Sequence, residues 1–425
     1  MFNGKLTQLN VYIDTIIELI YNRAILGREE TCFMQNFTQY TPTEIIFGKG
    51  TEVRTGACVK KWGGSKVLIV YGGGSVIRSG LLDRVKLSLE ETGITYVELG
   101  GVQPNPRLSL AEEGAAFAVK EKVNFILAVG GGSVIDTAKG IAHGAARPEC
   151  KLWDLWMKKE PLGNSLPVGC ILTIPAAGSE MSDSAVLTNT EIGKKAGLST
   201  DLNRPRFAIL NPELAFTLPK YQIACGITDI MMHTMERYFI PESNCQMTDE
   251  IAEGLLRTVI ANGRKVMEDP CDYDAMCEVV WCGSLSHNGI TGLGRDKDFS
   301  VHKFGHALGA KYDYAHGATL ACVWEAWAKY LYMDGIDRFA RFAEKVWGVT
   351  CEDKKQAAEK GIQKTVDYFR EIGMPTNLRE IGVENITDGE LMELALDATM
   401  GGTVKLAKIK TLDVEDVYVI FENAK

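Results

Sequence analysis

Two long apolar runs in the first half of the chain end in the same glycine-rich turn, and this repetition constrains the fold more than any other feature. Residues 66–71 (KVLIVY) are followed by GGGS at 72–75, and residues 124–129 (NFILAV) are followed by GGGS at 130–133. Continuous apolar runs of this length predict strands that are buried on both faces. Helices that begin at the turns would cover both faces, so the sequence predicts an α/β fold with a doubly wound parallel sheet.

The order of the remaining segments predicts two domains after an N-terminal extension. Further strands are expected at 94–99, 168–174 and 207–210, with helices at 75–92, 108–122 and 134–145. After residue 212 the strand-like runs nearly vanish, and helices are expected at 219–240, 246–268, 273–289, 298–310 and 316–333. We therefore predict an α/β domain at 34–215 and an all-helical domain at 216–425. Residues 1–33 are expected to form an extension, either an amphipathic helix or a disordered segment.

Composition excludes several classes of partner. The formal net charge of −9 and the absence of a basic tract disfavour nucleic acid and anionic membranes as partners. No apolar run reaches the length of about 18 residues that a membrane-spanning helix needs. The 11 cysteines are scattered and contain no Cys-x-x-Cys pair. Such usage is typical of a reduced, cytoplasmic protein and not of a disulfide framework.

The second glycine-rich turn is a candidate site for nucleotide phosphates. Glycine lets the backbone approach a pyrophosphate, and the free N–H groups at the start of the next helix bind its charge. The turn departs from the usual G-x-G-x-x-G pattern, and a tight strand–helix connection explains a single GGGS equally well. Two such turns together favour a nucleotide crevice. The candidates from the first turn and from the QPNP loop at 103–106 are Gly73, Gly74, Ser75 and Asn105.

Four of the six histidines lie in motifs that predict a metal site. Asp229 and His233 lie four residues apart, as do His302 and His306, and His316 follows ten residues later. Residues at i and i+4 of a helix share one face, so each pair presents two side chains to one place. A carboxylate and three imidazoles would hold a divalent ion, Fe²⁺ or Zn²⁺, with an open position for a Lewis-acid role.

Other interpretations of the histidines stay open at this point. A closed structural zinc site would use similar ligands. A zinc protease is disfavoured, because Lys303 and Phe304 stand where His-Glu-x-x-His requires a glutamate. His143 is interpreted as an ordinary residue, and so is His287, although His287 is placed to line the same cleft. Trp324 and Trp327 are expected in the core.

From about residue 36 to near the end, the chain resembles the iron-containing (group III) alcohol dehydrogenases, and in particular their branch of butanol dehydrogenases and NADPH-dependent aldehyde reductases. The matching segments are YGGGSVIRSGLLD at 71–83, QPNPR at 103–107, AVGGGSVIDTAKGIA at 128–142, LTIPAAGSEMS at 172–182, NPELAFTLP at 211–219, GITDIMMHTMERYF at 226–239 and VHKFGHALGAKYDYAHGATLA at 301–321.

The resemblance implies a cofactor domain, a helical domain and a metal in the cleft between them. By position in the motifs, it implies that the metal ligands are Asp229, His233, His302 and His316. His306 would lie near the nicotinamide, where it is a candidate to relay a proton or to orient the ribose. The implied cofactor contacts are Gly131, Gly132, Ser133, Asp136, Thr173, Ser182 and Lys195. The chain departs from the family pattern at Ala177, where threonine is frequent, and at Ser182, where asparagine or threonine is common.

These implications lead to a specific functional expectation. NAD-preferring enzymes tend to place an acid against the ribose 2′-hydroxyl, and residues 72–75 contain none. We therefore expect NADP(H) to be preferred over NAD(H). The expected reaction is hydride transfer between the nicotinamide and a primary alcohol or aldehyde, such as butanol or butyraldehyde. The resemblance also implies a homodimer.

Three alternatives have different chemistry. A lyase of the dehydroquinate synthase type would share the architecture and use NAD and a metal, but it should show more lysine and arginine near the ligand segments. Glycerol dehydrogenase fits the Asp229 and His306 motifs less well. A non-catalytic nucleotide-binding or metal-storage protein would fail to consume NADPH with butyraldehyde.

Overall fold

A computed structural model describes residues 34–241 and 244–425, so the predicted extension at 1–33 lies outside the described residues. The strands are β1 (Glu44–Phe47), β2 (Lys66–Tyr71), β3 (Thr95–Leu99), β4 (Phe125–Gly130), β5 (Val168–Leu172), β6 (Ser184–Asn189), β7 (Lys194–Ser199) and β8 (Phe207–Leu210). Six of them form one sheet in the order β3-β2-β4-β5-β8-β1, in which every neighbouring pair is parallel. β6 and β7 form a separate antiparallel pair.

Helices cover both faces of the sheet. Those of the first half are α1 (Thr55–Lys61), α2 (Ser75–Arg78), α3 (Leu81–Glu91), α4 (Leu108–Lys120), α5 (Gly132–Ala146) and α6 (Leu152–Trp156). Alternate residues of β2 divide between the two layers: Val67 and Ile69 pack with α1 and α3, whereas Leu68 and Val70 pack with α4 and α5. Both faces of the strands are therefore buried, which is why these segments are apolar throughout.

The chain after β8 is helical. Its helices are α7 (Lys220–Tyr238), α8 (Gln246–Glu268), α9 (Tyr273–His287), α10 (Ser300–Tyr312), α11 (His316–Leu331), α12 (Ile336–Trp347), α13 (Lys354–Glu371), α14 (Asp388–Ala398) and α15 (Val414–Asn423). Short 3₁₀ turns lie at Thr51–Arg54, Asp201–Asn203, Pro212–Ala215 and Ile290–Gly292. α7 packs against α8, α9 and α11 and is buried on all sides from Gly226 to Tyr238. Within the described ranges, no helix has the length and apolar character needed to cross a bilayer.

The architecture confirms the predicted fold class, with several local differences. The predicted helix at 75–92 is divided into α2 and α3, because Gly80 between them has a left-handed φ of 67°. β1 and the β6–β7 hairpin were not predicted. Trp324 and Trp327 are fully buried, as expected. His143 is also a core residue, and its Nε2 forms a hydrogen bond with Oδ1 of Asn203 at 2.9 Å.

The sheet topology places a crevice at the two glycine-rich turns. β2 and β4 are neighbours, but the chain continues from β2 to β3 on one side and from β4 to β5 on the other. Connections that leave in opposite directions open a gap at the carboxyl ends of the two strands, where open α/β sheets bind ligands. Both GGGS turns lie at these ends.

Candidate metal and cofactor site

A single cavity of about 1360 Å³ joins the glycine-rich turns to the histidine motifs. Its walls come from the carboxyl ends of β2, β4 and β5 and from α7, α9, α10 and α11. The candidate residues that line it are Gly73, Ser75, Asn105, Gly131, Gly132, Ser133, Asp136, Thr173, Ser182, Lys195, Asp229, His233, His302, His306 and His316. Gly74 does not line it and is the N-cap of α2, with a left-handed φ of 103°.

Three helices of the second half bring one carboxylate and three imidazoles together. Asp229 and His233 lie one turn apart on α7, His302 lies on α10, and His316 is the first residue of α11. From Oδ1 of Asp229, the distances are 3.4 Å to Nδ1 of His233, 3.4 Å to Nε2 of His302 and 3.8 Å to Nε2 of His316. The four predicted ligands are therefore neighbours in space, although they span 88 positions from Asp229 to His316.

Glycine at position 317 allows this approach. A Cβ atom added to Gly317 would lie 2.2 Å from the carbonyl oxygen of Cys225, so the start of α11 packs directly against the backbone of α7. Gly226 allows a similar approach on the other side of α7, where an added Cβ would lie 2.2 Å from the carbonyl oxygen of Pro175. Through these two contacts, α7 packs near its candidate ligands against α11 on one side and against the loop after β5 on the other.

The polar atoms at the centre of the group fit a divalent ion. Oδ1 of Asp229, Nδ1 of His233 and Nε2 of His302 are buried and have no hydrogen-bond partner among the described residues. These three residues offer ligand atoms that all lie within 4.8 Å of one another. Leaving a buried polar atom unsatisfied costs about 1–3 kcal/mol, and coordination to a cation removes that cost. A mixed oxygen and nitrogen donor set suits Fe²⁺ or Zn²⁺.

Glu236 orients His302, and the sequence analysis missed it. Its carboxylate is 1% exposed and contacts Nδ1 of His302, and it also accepts the backbone N–H of His302 at 3.0 Å. With Nδ1 held by a carboxylate, Nε2 is directed toward Asp229. Burial opposes a charge on the ring, but Glu236 and Asp229 outweigh burial and raise the pKa of His302 to about 9. Glu236 is one turn beyond His233, and the available signal was its place on the same helix face.

His306 lies beside the ligand group. Its ring centroid is 5.4 Å from that of His316 and 6.3 Å from that of His302. Burial, followed by the nearby Lys195 ammonium, holds the pKa of His306 well below its usual range. The ring is therefore neutral at physiological pH, and its buried Nδ1 has no hydrogen-bond partner within the described ranges.

The second glycine-rich turn presents a helix N-terminus to the cavity. Gly131 is the N-cap of α5, and no side chain caps the free backbone N–H groups there. A Cβ on Gly131 would lie 3.0 Å from Ile174, and one on Gly132 would lie 3.1 Å from Ala177. Larger residues at these two positions would fill the space next to the backbone. With glycine there, a ligand can contact the backbone directly. An uncapped N-terminus next to a backbone with no side chains binds phosphate well.

The polar residues around the turn also tie the two halves together. Asp136 accepts hydrogen bonds from Ser179 Oγ at 2.6 Å and from the Val186 N–H at 2.9 Å, so it fastens β6 to α5. Lys195 on β7 donates to Asn105 at 2.9 Å, and Asn105 donates to Asp313 at 2.8 Å. Burial lowers the pKa of Lys195 to about 8, against the opposing pull of Asp229 and other carboxylates.

The remaining predicted cofactor residues lie on the loops after β4 and β5. Ser133 is in the first turn of α5 and accepts the hydroxyl of Thr137 through its backbone carbonyl. The backbone N–H of Thr173 donates to Gly130 at 3.1 Å, which joins the ends of β4 and β5. The Ser182 hydroxyl donates to the Ser184 carbonyl at 3.1 Å.

The cavity also contains basic residues besides the predicted Lys195. Arg237, Lys297 and Lys303 all line it. Arg237 and Lys303 belong to the ligand segments themselves, and Lys297 lies in the loop before α10, so more basic side chains reach the cavity than expected. Arg237 is 3% exposed and lies directly behind His233, whose carbonyl accepts from its guanidinium at 2.5 Å.

Comparison with known proteins agrees with this geometry. The family profile described as iron-containing alcohol dehydrogenase matches residues 42–212, and the profile of the C-terminal part of the Fe-containing alcohol dehydrogenase family matches residues 223–425. NADH-dependent butanol dehydrogenase A of Clostridium acetobutylicum is 39% identical over 393 residues, which cover 92% of this chain and 100% of that protein. The NADPH-dependent aldehyde reductase YqhD of Escherichia coli is 35% identical over 357 residues, covering 83% of this chain and 90% of YqhD.

A solved structure supports the same assignment. The crystal structure of NADH-dependent butanol dehydrogenase A from Thermotoga maritima superposes with a TM-score of 0.88 at 38% identity, and the match covers 92% of this chain and 99% of that chain. The fold, the ligand motifs and the full-length similarity therefore agree. This chain belongs to the iron-containing alcohol dehydrogenase family and is an oxidoreductase.

Proposed function

We propose that the protein reduces aldehydes to primary alcohols, and catalyses the reverse reaction, with NADP(H) and one divalent ion, Fe²⁺ or Zn²⁺. The observation that carries this proposal is the position of Asp229 and its three imidazole neighbours in the wall of the cavity that also contains both glycine-rich turns. An ion held there faces the place where a dinucleotide would end. The names of the butanol dehydrogenase relatives suggest butyraldehyde as a substrate.

Each group of residues has a role in this reaction. When bound, the ion supplies Lewis-acid polarisation of the carbonyl oxygen and the nicotinamide supplies or accepts the hydride. Asp229, His233, His302 and His316 hold the ion, and Glu236 fixes the ring of His302. The uncapped start of α5 binds the pyrophosphate. His306 is neutral and buried beside His316, so it is suited to accept or pass the alcohol proton.

The first glycine-rich turn supports a preference for NADP(H). Of the three relatives described above, the two butanol dehydrogenases are named as NADH-dependent and YqhD as NADPH-dependent, so kinship does not decide this point. A side chain on Gly73 would meet nothing within 4 Å, and neither this turn nor α2 carries an acid that would repel a 2′-phosphate. Arg78 on α2 lines the same end of the cavity, and among the described residues it has no ion-pair partner. A free guanidinium near the ribose accommodates a 2′-phosphate.

A direct test uses butyraldehyde with each coenzyme after the ion content has been measured. We expect consumption of NADPH, with kcat/KM for NADPH above that for NADH. A protein that contains the ion and consumes neither coenzyme with any aldehyde from two to eight carbons would contradict the proposed reaction. A higher kcat/KM with NADH would contradict only the coenzyme preference.

We also propose the organisation that goes with this function. Residues 34–215 form the cofactor domain and 216–425 the metal-binding domain, and Asn105, Asp136, Thr173, Ser182 and Lys195 complete the coenzyme contacts around Gly131, Gly132 and Ser133. The enzyme acts as a homodimer in the cytoplasm. The scattered cysteines, all free among the described residues, support a reducing location. Light scattering coupled to size-exclusion chromatography tests the dimer, and a mass of about 47 kDa would exclude it.

A further inference from the structure

His287 is a polar residue beside the metal site that the proposed reaction does not use. It is the last residue of α9 and lines the cavity. Its ring centroid is 4.0 Å from that of the metal ligand His233 and 6.1 Å from that of Phe299. A group on this side of the cavity is close to the carbonyl of any aldehyde bound at the ion, so its chemistry affects which substrates fit.

Arg237 determines which nitrogen of His287 carries the proton. The guanidinium donates to Nδ1 of His287 at 3.3 Å. A guanidinium carries only N–H donors and has no acceptor atom, so Arg237 can only donate in this contact. Nδ1 of His287 must therefore accept, which places the ring proton on Nε2. This tautomer also excludes Nε2 as a ligand of the ion.

The surroundings keep Arg237 in this role. The guanidinium lies 4.7 Å from the ring of Phe299, and it donates to the backbone carbonyl of His233. Within the described residues no carboxylate forms an ion pair with it, and the residue is only 3% exposed. Phe299 has a φ of 92°, which is an unusual backbone conformation for a residue with a large side chain. Its ring lies beside the guanidinium in this conformation.

The N–H at Nε2 of His287 therefore lacks a partner in the part of the chain that is described. Among the described residues, the hydrogen bond of the His287 side chain comes from Arg237, and it uses the other nitrogen. An unbranched alkyl chain beside this N–H would leave it unsatisfied, whereas an oxygen atom on the substrate would accept its hydrogen bond. Sites that contain a fixed donor discriminate against substrates that lack the matching acceptor.

We propose that His287 is a specificity residue that donates a hydrogen bond from Nε2 to a hydroxyl oxygen on the carbon chain of the substrate. Hydroxyaldehydes and the corresponding diols are then preferred over alkyl aldehydes of the same size. This inference rests on the proposed aldehyde reduction and refines its substrate class. The single N–H of His287 matches one hydroxyl oxygen, and the hydrogen bonds of Arg237 go to His287 and to the His233 carbonyl.

The first experiment compares 3-hydroxypropanal with butanal, which differ by the exchange of a terminal hydroxyl for a methyl group. For the unmodified enzyme we expect kcat/KM to be about tenfold higher with the hydroxyaldehyde, the effect of one hydrogen bond. His287→Leu should remove most of this ratio, and His287→Gln, which retains a donor, should keep part of it. A ratio near one in the unmodified enzyme would overturn the proposal. An equal loss with both aldehydes in His287→Leu would also overturn it.

Arg237 is a positioning residue in this proposal, and a double-variant cycle tests that role. Arg237→Met should lower the ratio in the same direction as His287→Leu, because the ring proton of His287 is then free to move to Nδ1. The double variant should lower the ratio no further than His287→Leu alone. Independent, additive losses would contradict the coupling. Tyr221→Phe is the matched control, since it removes a hydroxyl from the outer wall of the same cavity and should leave the ratio unchanged.

A binding measurement separates this proposal from the proposed reaction. Isothermal titration of the coenzyme-bound enzyme with 3-hydroxypropanamide and with butanamide compares two unreactive analogues. We expect tighter binding of the hydroxyamide, by a margin that His287→Leu abolishes. If no aldehyde is turned over, the proposed reaction fails, and the titration still decides whether the subsite exists. Tighter binding of succinamate, the amide that carries a carboxylate, would overturn the assignment to a hydroxyl.

Discussion

At the scale of single residues, Glu236 has a positioning role that can be measured. Its carboxylate holds Nδ1 of His302, so replacing it with an amide weakens the orientation of the ligand and its basicity. Changes of this kind typically reduce metal affinity by about 10–100-fold. We expect Glu236→Gln to show a loss in this range, measured as the ion retained after equilibrium with a chelator of known affinity.

The control for this change is another buried carboxylate. Glu180 is 1% exposed and accepts a hydrogen bond from Ser284 at 2.5 Å, and it is not in contact with the ligand group. Glu180→Gln should therefore retain the ion as the unmodified protein does. Equal retention in both variants would show that Glu236 does not act through His302.

Metal affinity should depend on pH through His302. The pKa of this ring is about 9 without an ion, so at neutral pH an incoming cation must displace a proton from Nε2. Affinity is therefore lowest in acid and should rise by up to about tenfold per pH unit until it levels off above the pKa. Calorimetric titration of the metal-free protein in buffers of different ionisation enthalpy should show release of about one proton at pH 7. Affinity that does not change between about pH 6 and 8 would contradict the raised pKa.

The four candidate ligands that the structure brings together could be predicted from the sequence, but Glu236 and Arg237 beside them could not. Asp229, His233, His302 and His306 were visible because helical periodicity repeats them at i and i+4. Glu236 was missed, because its partner lies 66 positions away on α10. The bond between Arg237 and His287 joins positions 50 apart. Contacts between helices depend on how the helices pack, and a single sequence carries no periodic signal for that.

At the scale of elements, the turn between β2 and α2 should govern coenzyme choice. The backbone φ of Gly73 is not in the left-handed region, and a side chain there would meet nothing within 4 Å. A substitution should therefore not disturb the fold. In Gly73→Asp, the added carboxylate should repel a 2′-phosphate and raise KM for NADPH more than KM for NADH. Gly73→Asn is the isosteric control without the charge. An equal rise with both coenzymes would show that this turn does not face the ribose.

The close contact between α7 and α11 should couple packing to metal binding. Gly317→Ala places a methyl group against the Cys225 carbonyl, at a cost of about 1–3 kcal/mol for an overpacked contact. Because His316 is the neighbouring residue, we expect a lower melting temperature together with weaker retention of the ion. Gly389→Ala on α14 is the control, since an added methyl group there has space and should be neutral or slightly stabilising. A lower melting temperature with full ion retention in Gly317→Ala would contradict the coupling between packing and metal binding.

The elements differ in how well the sequence predicts them. β2 and α8 were predicted with the bounds that the structure has, because a buried strand shows as a continuous apolar run and a long amphipathic helix shows as a periodic one. β1 has only four residues, too few to show a pattern. β7 (KKAGLS) contains residues with little strand preference. The β6–β7 hairpin exists because Asp136 and long-range packing hold it, which local propensity does not report.

At the scale of the whole molecule, removal of the ion should abolish activity and leave the parallel sheet folded. The four ligands come from α7, α10 and α11, and the sheet with its two covering layers contains none of them. We expect a chelator to stop turnover, while the far-ultraviolet circular dichroism and the binding of NADPH, followed by its fluorescence, persist. Re-addition of Fe²⁺ or Zn²⁺ should restore the rate. Activity that continues after verified removal of the ion would contradict a catalytic role for it.

The separation of the two sets of residues also has an evolutionary consequence. The proposed coenzyme contacts are concentrated on strand–helix turns of the first half, and the proposed ligands of the ion lie on helices of the second half. Mutations at the turns can accumulate without altering the coordination of the ion. Mutations around the ion can likewise accumulate without altering the coenzyme contacts. Enzymes with this arrangement can therefore change their preference between NADH and NADPH by substitutions at a few positions, and they keep the same metal centre when they do.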